Sequence, residues 1–440
     1  MTPSARLSAA IEVLSDILTR RRPAADALKD WGLARRFAGS TDRAAVASLV
    51  YDTLRRRASA AWVMGFSRVE EASPRAILLG ALHLARGLSA PAIEALCDGS
   101  RFAPQPLSDA ERPRLADAAR SLADAPAHVA GDFPEWLAAS LARAFGAALV
   151  AEMQALAQRA PLDLRVNTLK GQRREALSLL AHLRPSPTPL SPIGIRLPQG
   201  EDGRGPSVRS EPAFLDGLVE IQDEGSQLVS LLCDAKSGEN VVDLCAGAGG
   251  KTLALAATMA DEGHIVATDE DRRRLAPIHA RLARSGTTIV EVRTPRGSAE
   301  EPLAGLEGKA DLCLVDAPCT GVGAWRRNPD AKWRIRPGSL KARIEEQDRV
   351  LDRAARFARR GGRLAYITCS LLTEENEERV QSFLHRHEGW RSVPIERTVV
   401  ALPELATSSG NRLGGDLGLL LTPHRTKTDG FFLAVLHKFV

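Results

Sequence analysis

The chain has 440 residues, 44% of them hydrophobic and 26% charged, with a net charge of +5 and a pI near 9.0. This is the composition of a soluble globular protein of two or three domains. Its longest strongly apolar stretch, Ala76 to Ala85, falls short of the ~20 residues that span a bilayer. Six cysteines without CxxC spacing argue against structural zinc and against a disulfide framework, so no metal is expected.

The N-terminus leads into Glu12 and Asp16 rather than an apolar signal core, which gives a cytoplasmic expectation. From about Ala5 to Leu141 apolar residues recur at three-to-four spacing, as in Leu7, Ile11, Leu14 and Leu18, or Val46, Leu49, Val50, Thr53 and Leu54. That spacing predicts an all-α domain, taken as residues 1–143. Arginine clusters at Arg20 to Arg22, Arg35 to Arg36 and Arg55 to Arg57 are either nucleic-acid contacts or solvated helix faces. Pro104 and Pro106 mark a turn between helices.

A second regime begins near Leu162. Leu162-Asp-Leu-Arg-Val-Asn alternates like a strand, Arg173 to Leu183 reads as a helix, and Pro185 to Ser210 is a Pro- and Gly-rich loop. This is a small α+β insert of the kind that grips substrate, within residues 144–225. From Asn240 strands and helices alternate, with strand candidates Asn240 to Leu244, His264 to Thr268, Thr288 to Val292, Asp311 to Val315, Arg363 to Ile367 and Phe431 to His437. Alternation implies a largely parallel sheet and an α/β domain over 226–440. The last strand could pair antiparallel at or inside the sheet edge.

Val241-Val-Asp-Leu-Cys-Ala-Gly-Ala-Gly-Gly-Lys-Thr runs from an apolar strand through three glycines into a helix. Glycines let backbone approach a ligand, and the helix start offers unpaired N–H donors. Walker spacing is absent, so a nucleotide triphosphatase is not expected. Asp269 ends the next strand, where its carboxylate can accept from both ribose hydroxyls or cap the following helix.

Asp311-Leu-Cys-Leu-Val-Asp-Ala-Pro-Cys-Thr-Gly-Val-Gly places Asp316 and Cys319 at the carboxyl end of a strand, the edge where α/β sheets bind ligands. Trp325-Arg-Arg-Asn-Pro-Asp-Ala-Lys-Trp-Arg-Ile-Arg follows, with basic and aromatic residues interleaved. Arginine pairs with phosphate and tryptophan stacks on unpaired bases, so Trp325, Arg326, Arg327, Lys332, Trp333 and Arg334 are expected to contact single-stranded RNA, a solvated loop being the alternative. A second cysteine, Cys369 in Tyr366-Ile-Thr-Cys-Ser, closes another strand and leads into Thr373-Glu-Glu-Asn-Glu-Glu, read as a helix start whose acids serve capping.

A cofactor cradle, a carboxylate and two thiols suit methylation of a weakly nucleophilic carbon. Cytosine carbon 5 is such a carbon: addition of a thiolate at carbon 6 activates it, and a second polar group then helps to complete elimination. A DNA cytosine methyltransferase would use a Pro-Cys nucleophile but leaves the second thiol unexplained. A catalytically silent RNA-binding assembly factor is the rival from a different class.

At this point the residues resemble the RNA cytosine-5 methyltransferase family, in its bacterial ribosomal RNA branch of the Sun/Fmu (RsmB) type. The motifs are Arg165-Val-Asn-Thr-Leu-Lys, Gln222-Asp-Glu-Gly-Ser-Gln, the Cys245 to Thr252 loop, Asp316 to Gly321, Arg326-Arg-Asn-Pro-Asp-Ala-Lys-Trp, Thr368-Cys-Ser with Glu375-Asn376, and Asp429-Gly-Phe-Phe. The N-terminal helices resemble, more loosely, the NusB-like antitermination-factor domain, with Asp42-Arg43-Ala44 and Val50-Tyr51-Asp52-Thr53-Leu54-Arg55 closest.

The resemblance implies a class I, Rossmann-like S-adenosylmethionine-dependent domain acting on small-subunit ribosomal RNA or an early assembly intermediate, with tRNA or another RNA as the alternative target, as a monomer. It implies that Cys369 adds to carbon 6, Cys319 assists release, Asp316 faces the cytosine edge and Lys251 lies near it. Cys245, Ala246, Gly247, Ala248, Gly249, Gly250, Lys251, Asp269 and Asp316 would form the cofactor site, with Arg165 and Asn167 on RNA. Two departures stand out: Gly247-Ala248 replaces the family's Ala-Pro, and Val290-Glu-Val-Arg-Thr-Pro-Arg lacks the acid that often follows the third strand.

Overall fold

The structure is a computed structural model that describes residues 1–117, 122–200, 205–295, 301–399, 402, 404, 405 and 417–439. It contains two compact units, Met1–Arg159 with Trp325–Ile335, and Ala160–Ala324 with Arg336–Val440. The boundary between the compact units lies at 159/160. Helix Leu149–Leu156 buries Leu149, Glu152, Met153 and Leu156 and packs on helix Ala127–Ala130, so it belongs to the helical unit. Residues 160–225 form no separate compact unit.

In the helical unit, helix Pro3–Arg20 opens with a Thr2 cap that accepts from the Ala5 amide. Helix Pro74–Arg86 opens with Ser73 accepting from Ala76 and closes on left-handed Gly87. Such caps satisfy helix-end groups that have no intrahelical partner. Leu7, Leu14, Val46, Val50, Leu54 and Leu78 form the core, on the faces that the three-to-four spacing assigned. A Cβ on Gly80 would meet the Ala60 carbonyl oxygen at 2.3 Å, so glycine lets these two helices touch. Glu135–Leu156 is long and apolar enough to cross a membrane by length and composition, a longer stretch than Ala76 to Ala85. It is broken at Gly146, which has φ of +51°.

The arginine clusters are largely engaged within this unit. Arg22 pairs with Asp16 and Asp30, Arg35 with Glu12 at 2.6 Å and Arg56 with Asp132 at 3.6 Å.

The second unit holds two sheets. β1 (Leu162–Val166), β2 (Ser186–Pro187), β3 (Gly194–Leu197) and β4 (Val219–Ile221) pair antiparallel in the order β2-β3-β1-β4. Leu164, Val166, Ile195, Leu197 and Val219 pack beneath them with Ala176 and Leu180.

The larger sheet runs β10-β12-β9-β8-β5-β6-β7, with β11 also paired to β12. Its strands are β5 (Asn240–Asp243), β6 (His264–Ala267), β7 (Val290–Val292), β8 (Ala310–Asp316), β9 (Ala358–Thr368), β10 (Trp390–Ser392), β11 (Leu419–Leu421) and β12 (Phe431–Lys438). β5 to β9 are parallel, whereas β12 lies antiparallel beside β9 and inside the edge. Leu312, Cys313, Leu314 and Val315 are fully buried, the continuous apolar run of a strand covered on both faces. With Asp243 aligned to Leu314 and Asp316 to Ile367, the carboxyl ends of β5, β8 and β9 lie side by side. All loops of chemical interest leave from that edge.

Candidate active site

The glycine loop joins β5 to helix Gly250–Thr258. Gly247 has φ of +51° and Gly249 of +81°, a backbone region that glycine alone enters without strain. A Cβ on Gly249 would also strike Ile278 at 2.5 Å. The Gly247 departure thus falls where left-handed backbone is needed. Beneath the loop Asp243 accepts from the Thr252 hydroxyl at 2.7 Å and the Cys245 amide at 3.3 Å. Burial pushes the Asp243 carboxyl up to about 7.

Asp269 is 3% exposed and accepts from the Gly247 amide and the Asp271 amide, each at 2.9 Å. Each carboxylate oxygen keeps a further lone pair for a ligand hydroxyl. A glycine cradle beside a carboxylate just past the end of β6 fits S-adenosylmethionine. Arg293, after β7, turns its guanidinium onto Glu291 at 2.7 Å. Arg293 to Pro295 carry no acid, and Arg296 lies outside the described residues.

The two thiols meet. Cys319 Sγ lies 3.4 Å from Cys369 Sγ, although 50 residues separate them. Lys251 Nζ donates to Asp316 Oδ2 at 2.6 Å and stands 5.2 Å from the Phe431 ring centroid. Burial opposes the Lys251 charge, but Asp316 and the Cys369 sulfur favour it and its pKa is raised. The Cys319 thiol is pushed well up by its hydrogen bond to Cys369, then by burial and by Glu375. The Gly323 amide donates to the Cys369 carbonyl and the Gly430 amide to the Gly323 carbonyl, both at 2.9 Å. A Cβ on Gly430 would meet the Gly323 Cα at 2.6 Å and the Leu371 side chain at 2.7 Å, which accounts for the glycine in Asp429-Gly-Phe-Phe.

Sequence reasoning missed the parts played by two residues, Glu375 and Gln347. The helix after Cys369 begins at Glu377, so Glu375 is not part of its first turn. It is fully buried and accepts from the Thr320 amide at 2.8 Å, the Thr320 hydroxyl and Gln347 Nε2 at 3.0 Å. Burial raises its carboxyl pKa against those bonds and one from Ser370. Gln347 also donates to the Pro318 carbonyl at 2.9 Å. Only the Glu375-Asn376 motif hinted at this cluster, and nothing around Gln347 did.

The expected RNA contacts need correction. Arg165 is 1% exposed, donates to Gln222 Oε1 at 2.6 Å, and burial lowers its pKa to about 10. Asn167 donates to the Gly217 and Ser285 carbonyls at 3.1 and 2.9 Å. Both are interior joints. Trp325, Arg326 and Lys332 are buried in the helical unit, where Arg55 Nη2 donates to the Arg326 carbonyl at 2.9 Å. Lys332 Nζ donates to the Arg55 and Asp132 carbonyls at 2.9 and 2.7 Å, and Trp333 Nε1 to Leu54 at 2.7 Å under the Arg57 guanidinium. These side chains build the core instead of facing a polyanion. Arg327 is half-buried and Arg334 exposed, so any RNA contact from this segment falls to them.

Residues 230–437 match the family described as 16S rRNA methyltransferase RsmB/F, and residues 133–202 the RsmF/B-like ferredoxin-like domain. The chain is 34% identical over 312 residues to the probable ribosomal RNA small subunit methyltransferase B of Synechocystis sp., covering 70% of this chain and 67% of that protein. The ribosomal RNA small subunit methyltransferase B of Yersinia pseudotuberculosis is 33% identical over 307 residues, covering 69% and 66%. The alignments thus span about two thirds of these relatives' lengths. Among solved structures, PH0851 superimposes with a TM-score of 0.71 at 25% identity over 100% of this chain and 99% of that one. The methyltransferase homolog protein from Pyrococcus horikoshii gives 0.57 at 27% identity, over 71% and 97%.

Proposed function

The chain belongs to the RsmB/F family of 16S rRNA methyltransferases, and we propose that it methylates carbon 5 of a cytosine in small-subunit ribosomal RNA through a covalent adduct on Cys369. S-adenosylmethionine is the family's cofactor, and when bound it supplies an electrophilic methyl group. The setting is the cytoplasm, where bacterial ribosomal RNA is made.

Cys369 adds as thiolate to carbon 6, forming a C–S bond and moving the C5–C6 π pair onto carbon 5, while Asp316 holds the ring edge. The Lys251 ammonium compensates the negative charge on Asp316 and on the Cys369 thiolate. Carbon 5 then takes the methyl group. A base removes the carbon 5 proton, its electron pair re-forms the C5–C6 bond, and the Cys369 sulfur leaves as thiolate. The balance is one C–H replaced by one C–CH3 and one proton released, while the donor's S–CH3 bond is broken and its electron pair is left on that sulfur.

The observation that carries this reading is the 3.4 Å separation of the two sulfurs. At that distance either thiol can donate its S–H to the other, so a proton on one can support a thiolate on the other. Incubation of target RNA and cofactor with each variant, followed by denaturing electrophoresis, tests it. Cys319→Ser should accumulate a covalent protein–RNA species, Cys369→Ser should form none and turn over nothing, and the double variant should lose the adduct. Trapping by Cys369→Ser alone would reverse the roles.

A further inference from the structure

Each thiol is bracketed by hydrogen bonds that lead to the same pair of residues. On the Cys319 side, Gln347 Nε2 holds the Pro318 carbonyl at 2.9 Å and Glu375 holds the Thr320 amide at 2.8 Å together with the Thr320 hydroxyl. On the Cys369 side, Asn376 accepts from the Thr368 hydroxyl at 2.6 Å and donates to the Ser370 carbonyl at 3.0 Å. The Ser370 hydroxyl bonds the Glu375 carboxylate. Tyr366 OH fixes the Glu375 carbonyl at 2.6 Å, and Gln347, fully buried on helix Pro337–Phe357, closes the cluster onto Glu375 at 3.0 Å.

A buried carboxylate is costly unless its lone pairs are occupied, and every partner of this one belongs to, or grips, a thiol loop. We infer that Glu375, seated on Gln347, is the positioning residue that sets Cys319 against Cys369, so that release of methylated RNA depends on it more than addition does. The asymmetry follows from support. Cys369 directly follows β9, which is held on both sides by β8 and β12, whereas Cys319 sits on the irregular loop after β8. Loosening the clamp therefore displaces Cys319 first. A carboxylate suits the site best: a glutamine can keep its oxygen on the Thr320 amide and Gln347, but its N–H2 then faces the Thr320 hydroxyl, which must turn from donor to acceptor.

The inference rests on the covalent reading, so its test runs beside Cys319→Ser. Glu375→Gln, Gln347→Met and Thr320→Val are compared in single-turnover reactions that score adduct and released product separately, with cofactor affinity and thermal stability measured alongside. Release in Glu375→Gln should slow by roughly 10- to 100-fold, the scale of a misplaced reacting group, with adduct accumulating and addition little changed. Gln347→Met should do the same. Thr320→Val, which removes one hydroxyl, should slow release by about threefold and remains readable if Glu375→Gln fails to fold. Addition and release slowing together, or release at the wild-type rate, would overturn the inference. If Cys319→Ser itself traps nothing, the assignment of release to Cys319 falls and takes the inference with it.

Discussion

Two lysines are buried in this protein, and they titrate in opposite directions. Lys251, 8% exposed, faces a carboxylate at 2.6 Å, and that partner outweighs burial and raises its pKa. Lys332, 3% exposed, donates to two backbone carbonyls near Arg55, Arg56 and Arg57. Burial brings it down to about 7, although Asp132 pulls the other way. Carbonyl dipoles satisfy an ammonium's protons without cancelling its charge. A buried lysine therefore points to chemistry when a carboxylate and a reactive group share its site, and to architecture when its partners are backbone.

The sharpest way to break the comparison is to remove each charge in turn. Lys251→Met leaves Asp316 uncompensated beside the sulfur that the proposed addition makes anionic, so single-turnover methyl transfer should fall by about 10²–10³, the usual effect of deleting one electrostatic contact at a reacting centre. Lys332→Met should leave the rate of the folded fraction unchanged. Equal losses of rate from the two would show that burial, not the partner, decides the role.

Much of the reactive edge was legible in the sequence because its chemistry is local. A glycine loop after an apolar strand, Asp316 with Cys319, and Cys369 at another strand end each need particular residues at adjacent positions. All six strand candidates from Asn240 onward appear in the sheet, while β10 and β11, three residues each, are too short to show alternation. What stayed hidden depends on distant contacts. Gln347 reaches Glu375 across 28 residues, and Lys332 finds Asp132 across 200. A basic, tryptophan-bearing stretch has the same composition whether it meets RNA or fills a helical core, so Trp325 to Arg334 read as a surface. Arg165 and Asn167 misled in the same way, as polar residues whose partners come from other segments.

An intermediate effect is expected in stability. Lys332→Met strands two buried carbonyls, so it should destabilise the chain by about 1–3 kcal/mol in denaturant titration. The pH dependence has a definite sign. An unfolded lysine titrates near ~10.4, whereas folded Lys332 titrates at about 7. Between these values the unfolded chain holds a proton that the folded one lacks, so the Lys332 contribution to stability rises with pH across that window and its penalty is full below it. Lys332→Met should flatten the rise between pH 7 and 10 relative to wild type. An unchanged slope would mean that this ammonium is not buried as placed.

The smallest effect separates surface from core within one segment. Arg334 pairs with Asp330 at 3.1 Å and its side chain is 37% exposed, a pair worth at most ~1 kcal/mol. Arg326 is 5% exposed. If Arg334 meets a phosphate of single-stranded RNA, Arg334→Ala should lower the slope of log affinity against log salt by about 0.7, with no change in melting temperature. Arg326→Ala should instead lower the melting temperature and leave the salt slope of the folded protein intact. The reverse pattern, a flattened slope from Arg326→Ala, would mean that Trp325 to Ile335 leaves the helical core to meet RNA, and the contrast between Lys251 and Lys332 would then hold only for the free enzyme.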